Sequence, residues 1–355
     1  MSQLKVNAIS DSAGANGNAI TLVSDGTCTA KITNNLSNRN LVINGAMQVA
    51  QRETSFTVSD AYTLDRYKFK IAGGGATTIT QSSTTPDDFS YSYKVDVTTA
   101  DTSVASTDHG VIMHMVEGYD FAQANFGSSA AKACKLSFYV RSNKTGTYGV
   151  AFQNGAQNRS CIQEYTISSA DTWERKTITI PADTGGSWTT TNTIGLKITW
   201  GLMGGSTYAT SSLGTYNSSN VFLTSNQVNL FDNTSYEWYM TGVQLEVGST
   251  ATDFEHRSYA DELARCHRYY RLQSKSRASG KLGGSQNYVS MVSFPLSPQM
   301  RNTPTVSMYG SASYNGNVST IDTVNVTLDH IGIMANISDG NYYYYNNGWT
   351  ADAEL

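Results

Sequence analysis

The chain has 355 residues, a formal net charge of −4 and only 15% charged side chains, so its polarity comes mainly from Ser, Thr, Asn, Gln, Gly and Tyr. An average soluble protein carries about 25% charged residues, and the shortfall describes a sheet-and-loop chain long enough for two or three domains with cores of their own. The basic residues are scattered and outnumbered by acidic ones, which excludes a phosphate-backbone footprint and with it a nucleic-acid partner.

Met1-Ser2-Gln3-Leu4-Lys5 opens without a basic region leading into an apolar one. No apolar run reaches the roughly 18 residues of a membrane span, so neither a secretion signal nor membrane insertion is expected. Within residues 1–40, apolar patches at Leu4, Val6 and Ile9 and at Ile20, Leu22 and Val23 flank the turn-rich stretch 12–18. So few apolar residues cannot bury a core; the segment must pack on a partner or on its own copies.

Residues 41–255 read as strand after strand. Alternation marks 67–71, 93–97, 135–140, 176–180, 195–200, 235–239 and 243–247, with turn clusters such as Gly73-Gly74-Gly75 and Gly185-Gly186 between them. Many strands without a long helix predict a mainly β fold whose central domain is a β-sandwich or jelly roll. The period then changes. Tyr259, Leu263, Cys266 and Tyr270 fall at i, i+4, i+7 and i+11, the apolar stripe of a helix within a connector at 256–275, with Ser258 as its cap and Glu262 near its positive end.

A Gly/Ser-rich linker at 274–280 is expected next, leading to a separate, smaller β-domain at 276–355 with strands at 289–294 and 305–309. Pro295, Pro298 and Pro304 suit its edges and turns.

Cys28, Cys134, Cys161 and Cys266 are far apart and form no CxxC pair, so reduced thiols are expected and neither a metal knuckle nor a disulfide scaffold. HExxH, Walker, GxSxG and dinucleotide signatures are absent, and no cofactor is implied. A glycosidase needs only two carboxylates from anywhere in the chain, for which Glu117, Glu164, Glu174, Glu237 and Asp232 are available; ordinary solvated charges are the expectation for each. His109 and His114, five apart, would point to opposite faces of a strand and make poor joint ligands. A structural calcium held by turn carbonyls and carboxylates would leave no readable spacing, so metal stays open.

Tyrosine is the strongest surface signal, with 22 in the chain and four of them in Asn341-Tyr342-Tyr343-Tyr344-Tyr345-Asn346-Asn347-Gly348-Trp349. Rings flanked by amides suit sugars and protein loops, which makes Tyr342, Tyr343, Tyr344, Tyr345 and Trp349, with Asn341, Asn346 and Asn347, candidate receptor contacts. Packing at an interface or a sheet edge explains the cluster equally well.

Residues 40–52 (Asn-Leu-Val-Ile-Asn-Gly-Ala-Met-Gln-Val-Ala-Gln-Arg), together with the strand-to-helix passage from Tyr239 to Tyr270, resemble virion proteins of tailed bacteriophages, particularly tail-fibre or receptor-binding proteins of marine and cyanobacterial phages. Leu4-Lys5-Val6-Asn7-Ala8-Ile9 is similar to their attachment leader, Leu64-Asp65-Arg66-Tyr67 to the start of their jelly-roll domain, and the stretch from Gly348 to Leu355 to their terminal strand.

That resemblance spans most of the chain and implies a jelly roll of the carbohydrate-binding-module type. It also implies an attachment arm at 1–40 that docks on other virion proteins through Leu4, Val6 and Ile9, and a homotrimer that buries Tyr259, Leu263, Cys266 and Tyr270 between copies. The expected protein is non-enzymatic, made in the host cytoplasm and carried on the particle exterior, where it binds a host surface glycan or outer-membrane receptor by multivalent contact. A purely structural head fibre, decoration protein or fibre adaptor is the first alternative, and a polysaccharide depolymerase the second.

Overall fold

A computed structural model describes residues 38–274, 293–308, 323, 325–334 and 348–355 in full. Outside these it describes only the backbone of 8–10, 18–22, 28–30, 275–282, 288–292, 313–314, 318–322, 324, 335–337 and 340–347.

Alternation puts one face of each central strand inside. In Tyr67–Ala72, Tyr67 and Phe69 are buried while Lys68 and Lys70 are half exposed, and the same rule turns two antiparallel sheets toward each other. The six-stranded sheet runs, in spatial order, Glu174–Ile180, Cys134–Ser142, Glu237–Val247, Ser92–Thr99, Ala76–Ser82 and Ser55–Phe56. The seven-stranded sheet runs Tyr216–Asn217, Ser160–Ile167, Gly146–Gln153, Ile194–Gly204, His109–Glu117, Tyr67–Ala72 and Asp60–Tyr62. Tyr67, Phe69, Phe138, Phe152, Trp200 and Trp238, all fully buried, fill the space between them. The mainly β sandwich expected from the sequence is therefore the architecture.

Two of the expected strands are one. Glu237–Val247 runs through Gly242, which adopts φ +62° at a register shift against Cys134–Ser142. The bulge moves the inward set from Trp238 and Met240 to Val243 and Leu245, so both halves face the same core.

Residues 40–49 form no regular element, yet nearly all are buried. Asn40 supplies the missing ladder: its Oδ1 accepts from Val42 N and Leu245 N at 2.9 and 3.1 Å, and its Nδ2 donates to Val243 O at 3.1 Å. Asn44 donates to Val49 O and Asp65 O at 2.9 and 3.0 Å, and its backbone N–H donates to Glu262 Oε1 at 2.5 Å. The two stretches that carry the family resemblance thus pack on each other as an internal buttress.

The helix is Tyr259–His267, capped by Ser258, whose Oγ accepts from Asp261 N at 3.1 Å. Cys266, together with Tyr269 just beyond the helix, is fully buried against Ile43 and Val49, with Leu263 packed partly on the same cluster; Tyr259, in the first turn, is 57% exposed. Tyr270 lies outside the helix at the start of a strand and is itself buried. The stripe expected to join three copies is largely covered by its own chain.

The expected 274–280 linker is also a strand. Tyr270–Leu282 pairs along its length with Gly340–Asp352, which also carries Thr305–Met308 and Ser313–Tyr314; Tyr288–Pro295, His330–Ile337 and Val318–Val324 form a further sheet. Leu296, Met300, Ile331, Ile333, Trp349, Ala351 and Ala353 form a separate core for this unit. A polar seam nevertheless ties it to the sandwich. Arg66 pairs with Glu354, Arg301 donates to Asn192 O at 2.6 Å, and the Tyr62 hydroxyl donates to Leu355 O at 2.6 Å.

At the other end, Ala8–Ser10, Asn18–Leu22 and Cys28–Ala30 form an antiparallel three-stranded sheet. Leu4 and Val6 lie outside the described residues, as does the side chain of Ile9.

Candidate functional site

The outward set of the seven-stranded sheet builds a cleft of about 330 Å³. Its floor is the stripe Val111, Met113 and Met115, the odd residues of His109–Glu117, whose even partners Ile112 and Val116 enter the core. The next strands add Lys68 and Lys70 on one side and Lys197 and Thr199 on the other, because Met113 stands opposite both Lys68 and Thr199, and Met115 opposite Lys197.

One wall comes from the connection after Ile194–Gly204. Tyr208 and Phe222 stack with centroids 4.7 Å apart, and the His109 ring meets both edge-on at 5.2 and 5.5 Å. Gly204 lets this wall sit close to the sheet, since a Cβ there would lie 2.0 Å from Leu223 Cδ1. Asn220, Gln157 and Leu355 complete the rim. The volume is at the low end of the roughly 300–1,000 Å³ usual for ligand sites, and the lining joins apolar area to a few polar groups.

His109 Nδ1 donates to Thr107 O at 3.1 Å, which holds the ring in the wall. Gln153 donates through Nε2 to Asn220 Oδ1 at 2.9 Å, while its buried Oε1 has no hydrogen-bond partner. Burial, with repulsion from Lys70 and Lys68, pulls the Lys197 ammonium down to about 8.

The expected contact residues lie elsewhere. Trp349 is 3% exposed and packs on Phe294 with centroids 5.8 Å apart, so it belongs to the distal core and not to a surface. Asn341, Tyr342, Tyr343, Tyr344, Tyr345, Asn346 and Asn347 lie on Gly340–Asp352, but their side chains are outside the described residues.

His109 and His114 do face opposite ways: His109 enters the cleft wall, and His114 is fully buried on the core side. Each candidate acid holds its own structural contact. Glu117 accepts from Arg268 and the Tyr269 hydroxyl at 2.6 and 2.7 Å, Glu164 from Asn226 at 2.9 Å, and Glu174 from the Ser168 N–H at 2.8 Å. Glu237 pairs with Lys94 at 2.6 Å and Asp232 with Lys144 at 2.8 Å. Among the described residues no three His, Cys, Asp or Glu gather as metal ligands, and no helix is long and apolar enough to cross a membrane. Cys134, Cys161 and Cys266 are buried free thiols; burial pushes Cys134 up to about 12.

Sequence reasoning missed the cleft. Lys68, Lys70 and Lys197 were visible as the polar members of alternating strands, but only strand order brings them around one stripe.

No family model and no curated protein matches the chain. Among solved structures it is similar to the enzymatically active domain of tailspike protein 4 of bacteriophage CBA120, at 13% identity over 59% of this chain, with a TM-score of 0.34; it spans 21% of that chain. It is also similar to a putative sugar binding protein from Bacteroides thetaiotaomicron, at 12% identity over 59% of this chain and 99% of that one, TM-score 0.32. The family 11 carbohydrate-binding module of a Clostridium thermocellum cellulosomal cellulase matches at 12% identity over 57% of this chain and 98% of that one, TM-score 0.29. These likenesses are distant, and the functional reading rests on the chain's own residues.

Proposed function

We propose that the protein is a non-enzymatic, glycan-binding virion protein of a tailed phage, most simply a tail fibre or tail-tip protein that recognises the host surface. The observation that carries the binding is the cleft: an apolar methionine floor beside stacked Tyr208 and Phe222, edged by ammonium and amide groups. A sugar offers the same mixture, an apolar ring face bordered by hydroxyls, so floor and rim have complementary tasks. The virion assignment is supported by the sequence resemblance around residues 40–67 and 236–272. On that reading the protein is a homotrimer on the particle exterior, docked through the N-terminal segment and assembled through that segment with the part of the helix stripe, around Tyr259, that stays exposed.

The test is binding of full-length protein to host cells and to an oligosaccharide array, for the parent and for Tyr208→Ala and Phe222→Ala. Loss of an important contact ring should cost about 2 kcal/mol per site, and more on cells where several copies engage. Folded variants that bind like the parent would remove the cleft. If Tyr→Ala changes within 342–345 abolish binding instead, the distal unit is the site. Released reducing ends during incubation with host polysaccharide would establish the depolymerase, and particle labelling that places the protein away from the tail would favour the structural role.

A further inference from the structure

Three ammonium groups meet at one cleft in a protein whose formal net charge is −4. Lys68 and Lys70 stand on one side of the apolar stripe and Lys197 on the other, two interstrand spacings or about 10 Å across. No acidic side chain lines the cleft. Asp60 lies on the outer strand, where it pairs with Lys68 at 2.8 Å and Lys70 at 3.5 Å and offsets one charge of the three.

Lys197 is different. It is 7% exposed, its cross-strand neighbours are Met115 and Gln153, and its Nζ stands 5.9 Å from the centroid of the Phe222 ring. A ring at that distance compensates only part of the cost of burying an ammonium. An ammonium set into the cleft wall with no acidic side chain beside it in the lining is what a ligand carrying negative charge would compensate.

Accepting the glycan-binding reading of this cleft, we infer that it selects an acidic saccharide, a sugar bearing a carboxylate. Lys197, with Lys68 and Lys70 at the rim, takes the carboxylate, the Asn220 amide faces a ring hydroxyl, and the apolar ring face lies on Val111, Met113 and Met115. A neutral sugar would satisfy the floor and leave the buried ammonium unpaired, so selection comes from the penalty on the wrong ligand as well as attraction to the right one.

The experiment uses the full chain on an array of matched oligosaccharides: polygalacturonate, alginate and sialylated oligosaccharides, their methyl esters, phosphorylated sugars, and neutral glucans, mannans and galactans. Acidic members should bind at least about tenfold more tightly than their esters, and Lys197→Met, with its fold checked by circular dichroism, should bring acids and esters to the same affinity. Lys197→Arg should restore it, and Lys68→Gln with Lys70→Gln, at the exposed rim, should weaken it without loss of circular dichroism signal. Equal binding of acids and esters, or a preference that all these variants keep, would overturn charge selection and leave glycan binding standing. Binding confined to phosphorylated sugars would overturn the carboxylate. Binding to no saccharide would refute the glycan reading and this inference with it.

Discussion

His114 couples the sandwich to pH through one buried ring. Its Nε2–H donates to Ile43 O at 3.1 Å, its edge meets Tyr67 at a centroid distance of 5.1 Å, and its Nδ1 is buried without a partner. A second proton would sit on that bare nitrogen, so burial, and then the nearby Arg66 charge, lower its pKa to about 3 from the 6.5 usual for histidine. Between those values the unfolded chain binds the extra proton, so stability is full above 6.5 and is lost as pH falls toward 3. From pH 7.5 to pH 5 this group alone should cost about 2 kcal/mol. His114→Gln, whose amide can reach the same carbonyl without titrating, should show a correspondingly smaller fall in urea stability over that range. Parallel pH profiles for parent and variant would mean that the ring is not the source.

Two elements owe their form to local devices. Glu237–Val247 keeps both halves facing the core only because Gly242 takes φ +62°, where a Cβ would lie 2.7 Å from Phe89 Cζ and 2.9 Å from Tyr139 Cδ2. Gly242→Ala should therefore combine left-handed strain with steric overlap and lower stability by roughly 2 kcal/mol or more, read by chemical denaturation. An unchanged midpoint would mean that the bulge tolerates a side chain. The helix makes the opposite point. Leu263 packs toward Ile43 and Val49 of its own chain, so Leu263→Asp should destabilise the fold itself, by about 1–3 kcal/mol. A variant that changes its mass in light scattering while keeping its stability would show instead that the stripe lies between copies.

At the scale of the whole molecule, a buried ionic seam holds the distal unit to the sandwich. Arg66 is 1% exposed; it pairs with Glu354, donates to Met115 O at 2.5 Å and stacks 3.5 Å over the Tyr269 ring, while Arg52 reaches Glu354 at 3.3 Å and the Tyr270 ring at 3.6 Å. Removing Arg66 leaves Glu354 with its longer contact to Arg52, so Arg66→Met should cost about 3 kcal/mol. Adding Glu354→Gln to that variant should recover part of the loss, and a double-mutant cycle without coupling would remove the seam from the account. The N-terminal segment behaves differently. The cores of residues 41–355 close without it, so a chain lacking residues 1–36 should remain folded by circular dichroism yet fail to enter phage particles. Equal incorporation of the two forms would refute the docking role.

Period-two alternation determined the strands at 67–71, 135–140 and 176–180, the opposite facing of His109 and His114, and the β class of the fold, because it follows from backbone geometry alone. The Ser258 cap was equally legible, being a contact between residues three apart. What composition suggested without a partner in view went the other way. Ser, Gly and Lys at 274–280 resembled a linker, but pairing with Gly340–Asp352 makes them strand, and Trp349, counted as a surface ring, enters a core. Strand propensity depends on cross-strand and same-face neighbours, which the local sequence does not show. The cleft lay beyond the reach of the sequence for the same reason. Lys68, Met113, Lys197 and Phe222 are separated by tens of residues, and each reads locally as an ordinary outward or apolar position. Strand order in the sheet brings them around one stripe, and that order is set by burial of the opposite face, a property of the folded chain as a whole.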